Sequence, residues 1–124
     1  MIVKLRNKSP RSRDLTPGQA YVVIGIEADD IRILNDEDRP FLYPRGIFVV
    51  VNSEEPSDWV TVYGEEGELY SYPPPLNKPG FFGDFFDKKP KAVAAFWRAV
   101  NQRLEPQWKS RSALSPQSDY NARK

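Results

Sequence analysis

The side chains with the most chemistry in this 124-residue chain are carboxylates. Glu27, Asp29 and Asp30 are followed closely by Asp36, Glu37 and Asp38, and a second group, Glu65, Glu66 and Glu68, lies further on. Paired carboxylates can run general acid/base hydrolysis, which requires a cleft that brings two acids together and raises one pKa. They can also hold a cation, but the Asp-x-Asp-x-Asp-Gly spacing of a calcium loop is absent. With no Cys and no His, thiolate nucleophiles, disulfides, imidazole bases and the commonest transition-metal ligands are all closed. The expectation is a chain without catalytic residues, metal or cofactor, and therefore not an enzyme.

Charge gives these carboxylates a different use. The formal charge is +1, yet residues 1 to 26 hold five basic and one acidic residue, residues 27 to 87 four and fourteen, and residues 88 to 124 nine and two. An acidic body thus lies between basic ends. Such asymmetry bears on partners rather than on fold. Asp29, Asp30, Asp36, Glu37, Asp38, Glu65, Glu66 and Glu68 are the candidate partner-binding residues, able to steer a cationic macromolecule. Nucleic acid is not the expected partner, because the aromatics that could stack on bases share their segment with these acids.

Most of these acids sit in turns between strand-like runs. Ile2 to Leu5, Tyr21 to Glu27, Ile31 to Leu34, Pro40 to Tyr43, Ile47 to Val51, Trp59 to Tyr63 and Glu68 to Tyr72 are short, rich in β-branched and aromatic residues, and punctuated by Gly, Pro and Asp. Ala28-Asp29-Asp30 leaves room only for a tight turn, and Gly64-Glu65-Glu66-Gly67 joins the clearest hairpin. The two ends of the four-residue run Ile31 to Leu34 are about 13 Å apart, so the first six acids need not share one site.

Within Tyr21 to Glu27, alternation puts Tyr21, Val23 and Gly25 on one face and Val22, Ile24 and Ile26 on the other. Both faces are apolar, which calls for cover on both sides, and Gly25 marks a bulge or bend. Ile31 and Ile33 share a face opposite Arg32 and Leu34. Pro73-Pro74-Pro75 ends the sheet in extended or polyproline form. Lys78 to Asp87, with its two pairs of phenylalanines, fits one or two helical turns, and Val93, Trp97, Val100 and Leu104, with Phe96 beside them, make the stripe of a helix that starts at Pro90 and ends just before Pro106.

The fold class expected is α+β, mostly β: a small, strongly bent antiparallel sheet of five to six strands, of SH3-like barrel character, with a C-terminal helix. Residues 1 to 106 are expected to form one domain and 107 to 124 a disordered basic tail. The charged N-terminus lacks an apolar signal region, and no run approaches the roughly 18 apolar residues of a membrane span, so the expected location is cytoplasmic, with no membrane partner.

Leu15 to Asp36, Pro40 to Pro44, Asp58 to Pro73 and Asn77 to Asp87 together resemble small bacterial immunity proteins of polymorphic-toxin and contact-dependent inhibition systems. The resemblance implies binding and neutralisation of a cognate protein toxin, without enzymatic activity, and assigns no particular contact residue. A toxin that cuts nucleic acid has a cationic cleft, which an acidic inhibitor would both find and block. The alternative is an SH3-like adaptor that binds a peptide or a larger assembly. A small carboxylate hydrolase is a third reading and requires two acids to converge in a pocket.

Overall fold

A computed structural model describes residues 1 to 6 and 13 to 110, with side chains up to residue 102. Of the disordered tail expected at 107 to 124, residues 107 to 110 are helical, and 111 to 124 lie outside the described residues, as do 7 to 12. Seven strands are present among the described residues rather than five to six, since every one of the short strand-like runs pairs: β1 (Ile2–Leu5), β2 (Ala20–Glu27), β3 (Asp30–Leu34), β4 (Pro40–Pro44), β5 (Phe48–Asn52), β6 (Val60–Tyr63) and β7 (Leu69–Tyr72). Two helices follow, α1 (Phe81–Phe86) and α2 (Pro90–Ser110). All ladders are antiparallel, in the order β4-β3-β2-β1-β5, with β7 pairing both β2 and β6.

β2 is the axis of the sheet. One edge carries β3 along Val23 to Glu27, and the other is shared, with β1 on Ala20 to Val22 and β7 on Ile26 and Glu27. Both faces are covered, as the two-sided apolar pattern requires. Met1, Val3, Leu5, Tyr21, Val23, Ile31, Ile33, Tyr43 and Phe48 belong to one core, and Val22, Ile24, Tyr72, Phe81, Phe96 and Val100 to the other. The ladder to β3 slips between Val23 and Gly25, so a bulge lies at the expected position. That slip reverses the alternation, which places Ile26 with Tyr21 and Val23 rather than opposite them.

The closed, strongly bent barrel is the part of the expected architecture that the ladders do not make. Among the described residues no ladder joins β4 to β5, and the sheet is open. The physical reason lies in β4: Pro40 and Pro44 remove N–H donors at both of its ends, which suits an edge strand. The prolines after β7 also depart from expectation. Pro74–Leu76 forms a 3-10 turn closed by the Leu76 N–H donating to the Pro73 carbonyl at 2.9 Å, because the φ fixed by proline also fits a first helical turn.

The helices cover the second core. Phe82 and Phe85 of α1 lie 6.1 and 4.7 Å, ring to ring, from Phe96, which is fully buried. These contacts turn α2 so that Phe96, Ala99 and Val100 point inward, with Trp97 at the flank and Val93 outside the buried set. The helix also runs past Pro106 to Ser110. No helix among the described residues is long and apolar enough to cross a membrane.

At the bulge, a Cβ on residue 25 would run into the Tyr72 ring, whereas one on residue 46 meets nothing within 4 Å. Gly25→Ala should cost about 1–3 kcal/mol by overpacking, read as a lower urea midpoint with an unchanged slope, and Gly46→Ala should leave the midpoint in place. Equal midpoints for the two variants would contradict this packing.

Candidate functional site

Arg32 sits between two core isoleucines on β3, with its side chain on the opposite face and only 6% exposed. A buried guanidinium is tolerated only when its donors and its charge are answered. Nε donates to the Tyr72 hydroxyl at 2.7 Å, Nη1 to the Pro40 carbonyl at 2.6 Å and Nη2 to Glu27 Oε2 at 2.9 Å. The Phe82 ring covers the guanidinium plane 3.8 Å away. Tyr72 in turn donates to Glu27 Oε2, which therefore accepts two hydrogen bonds. Burial pushes the Tyr72 hydroxyl well above its ordinary pKa, with Arg32 acting against that shift. The Tyr72 hydroxyl thus lies between a cation and a carboxylate, with its proton directed to Glu27.

This network forms part of the wall of a groove of about 560 Å³ that runs between β6, β7 and the segment entering α1. Val62, Tyr70, Lys78 and Gly80 also line it. Sequence reasoning passed over Arg32 and Tyr72, and it counted Glu27 among the acids without giving it a role. The available signal was a charged residue inside a strand with apolar neighbours on both sides, and a glycine, Gly25, in register with Arg32 where the Tyr72 ring needs space.

The acids proposed from sequence fall into two places. The Ala28 N–H, directed toward β7 by a left-handed φ of 53°, donates to the Leu69 carbonyl at 2.7 Å. Glu27 is in register with Tyr70. The β2–β3 turn therefore lies beside the β6–β7 turn, and Asp29 and Asp30 share one end of the sheet with Glu65, Glu66 and Glu68. Glu68 is occupied within its own turn, where Oε1 accepts from the Glu66 N–H at 2.9 Å. Arg45 adds a cation at this end, its N–H reaching the Asp29 carbonyl at 3.1 Å.

Asp36, Glu37 and Asp38 sit at the other end of β3, where Leu34 pairs with Pro40. Asp36 is structural: its oxygens accept from the Thr16 hydroxyl at 2.7 Å and the Tyr21 hydroxyl at 2.6 Å. Asn35 organises the same turn. Its Oδ1 accepts the N–H groups of Glu37 and Arg39, and its Nδ2 donates to Asp14 and to the Tyr43 oxygen. The eight acids thus form no single surface. Among the described residues no group of three or more His, Cys, Asp or Glu is placed to hold a metal ion.

No family model matches the chain, and no curated protein or solved structure matches it either.

Two outcomes follow for stability. Arg32→Ala leaves Glu27 without its countercharge and the Pro40 carbonyl without its donor and should cost about 3–5 kcal/mol, whereas Asp29→Asn, at an exposed turn, should stay within about 0.5 kcal/mol. Denaturant unfolding measures both. Tyr21 is pushed up from 10.0 to about 12 by burial and by its bond to Asp36. Its folded-state pKa lies above the unfolded value, so the unfolded chain releases its proton first, and stability should fall as pH rises from 10 toward about 12. Tyr21→Phe should remove part of that slope, and an unchanged slope would refute the Tyr21–Asp36 contribution.

Proposed function

We propose that this chain is a non-enzymatic, protein-binding domain, an immunity protein that neutralises a cognate bacterial toxin in the cytoplasm of the cell that makes it. The toxin class that fits is a nuclease with a cationic cleft. The observation that carries the reading is the Ala28–Leu69 bond, which brings Asp29, Asp30, Glu65 and Glu66 to one end of the sheet although more than thirty residues separate the two pairs in sequence. A compact acidic end of this kind both attracts a basic cleft and competes with the phosphates that the cleft would bind. Deeper in the fold, Arg32, Glu27 and Tyr72, and likewise Tyr21 and Asp36, bond to one another, which supports a binding role over a catalytic one.

A second reading, an adaptor that takes a peptide, draws support from the groove between β6, β7 and the segment entering α1, although the open sheet lacks the barrel of an SH3-like domain. The two readings differ in what lies beside the coding sequence: a toxin domain for the first, a structural or signalling assembly for the second.

Expression of the protein encoded beside this chain, with and without the chain, tests the reading: the neighbour alone should stop growth. The wild-type chain should restore growth. Reversing Asp29, Asp30, Glu65 and Glu66 together to lysine should abolish protection, and reversing Glu37 and Asp38 should not. Full protection by the four-charge variant would remove the acidic end from the account, and failure of the wild type to protect would remove the immunity reading.

A further inference from the structure

The ladders place Val62, Tyr70, Glu27 and Asp30 opposite one another across β6, β7, β2 and β3, so their side chains share one face of the sheet. The neighbouring row on that face, with Tyr72 and Arg32, is covered by α1 through Phe82. The row containing Tyr70 is not covered: Val62 is 46% exposed, and Tyr70 forms one wall of the groove. From these placements we infer that the groove is a socket for a cationic side chain, an arginine or lysine, projecting from a basic protein partner. This inference rests on the protein-binding reading above and specifies its contact.

Three features select a cation. Glu27 spends Oε2 on Arg32 and Tyr72, and among the described residues no hydrogen bond reaches Oε1. A carboxylate oxygen on a groove wall accepts and cannot donate. The Glu27–Arg32 pair is neutral as a unit, so the rim sets the local charge. Asp30 lies in the same row, Glu68 reaches the Tyr70 hydroxyl at 3.3 Å, and Asp29, Glu65 and Glu66 stand beyond them, against Lys78 on the opposite wall and Arg45 at the end of the sheet. Finally, Val62 and the Tyr70 ring offer an apolar and aromatic bed for the methylene stem of a long basic side chain, whose head would reach Glu27 Oε1. Three of the five N–H donors of Arg32 are spent on Tyr72, Pro40 and Glu27, and Lys78 is the exposed cation of the lining that works against a cationic guest.

The test adds a tetra-arginine peptide, and separately a tetra-glutamate peptide, to the full chain and follows backbone amide shifts by NMR. Tetra-arginine should shift Glu27, Tyr70, Lys78 and Gly80, and tetra-glutamate should leave them in place. Tyr70→Ala should weaken the tetra-arginine effect about fivefold or more, and Lys78→Glu, at an exposed position outside the strands and helices, should strengthen it about threefold. Shifts confined to Glu65 through Glu68 would overturn the socket while leaving the acidic end as a binding surface. Absence of any shift, or a groove response to tetra-glutamate, would overturn it as well. Protection against the toxin is read separately, so failure of the socket and failure of the immunity reading remain distinguishable.

Discussion

A guanidinium buried under an aromatic ring has to be satisfied from several directions at once, and Arg32 draws its partners from the whole fold. Tyr72 comes from the last strand, Pro40 from the edge strand, Glu27 from the central strand and Phe82 from the first helix. Removing one partner leaves a buried charge or acceptor exposed to a medium that cannot solvate it, which is why breaking such a group costs more than forming it contributes. The network therefore fixes where the second hairpin and α1 lie on the sheet. The groove and the acidic end inherit their geometry from it.

The bulge at Gly25 is the backbone counterpart of that network. By inserting one residue, it turns Ile26 into the first core, and the missing side chain at position 25 makes room for the Tyr72 ring on the other face. Past the bulge, Ile26 and Glu27 keep one edge for β7, which brings Leu69 against Ala28. The acidic end thus follows from two local choices, a glycine in the longest strand and a turn residue held at positive φ.

Local patterns were legible in the sequence where period and turn chemistry agree. The Gly64 to Gly67 hairpin, the opposed faces of Ile31/Ile33 and Arg32/Leu34, the bulge at Gly25 and the proline-bounded edge strand are all present. Long-range consequences were not. Alternation alone cannot show that a bulge reverses it, so Ile26 was expected on the wrong face. The orientation of α2 depends on aromatics from α1, which no single-helix pattern contains. Asp36 reads as an ordinary turn acid until Thr16 and Tyr21, fifteen to twenty residues earlier, are seen to hold it. The pairing of Arg32 with Tyr72 spans forty residues and has no local signature.

The proposed function depends on electrostatic capture by one end of the sheet. Its most direct measurement is the association rate constant of the purified chain with the proposed toxin partner across a range of ionic strength. Capture by the acidic end predicts a rate that falls steeply as salt screens the two surfaces. A rate that stays flat from low to physiological salt would contradict it.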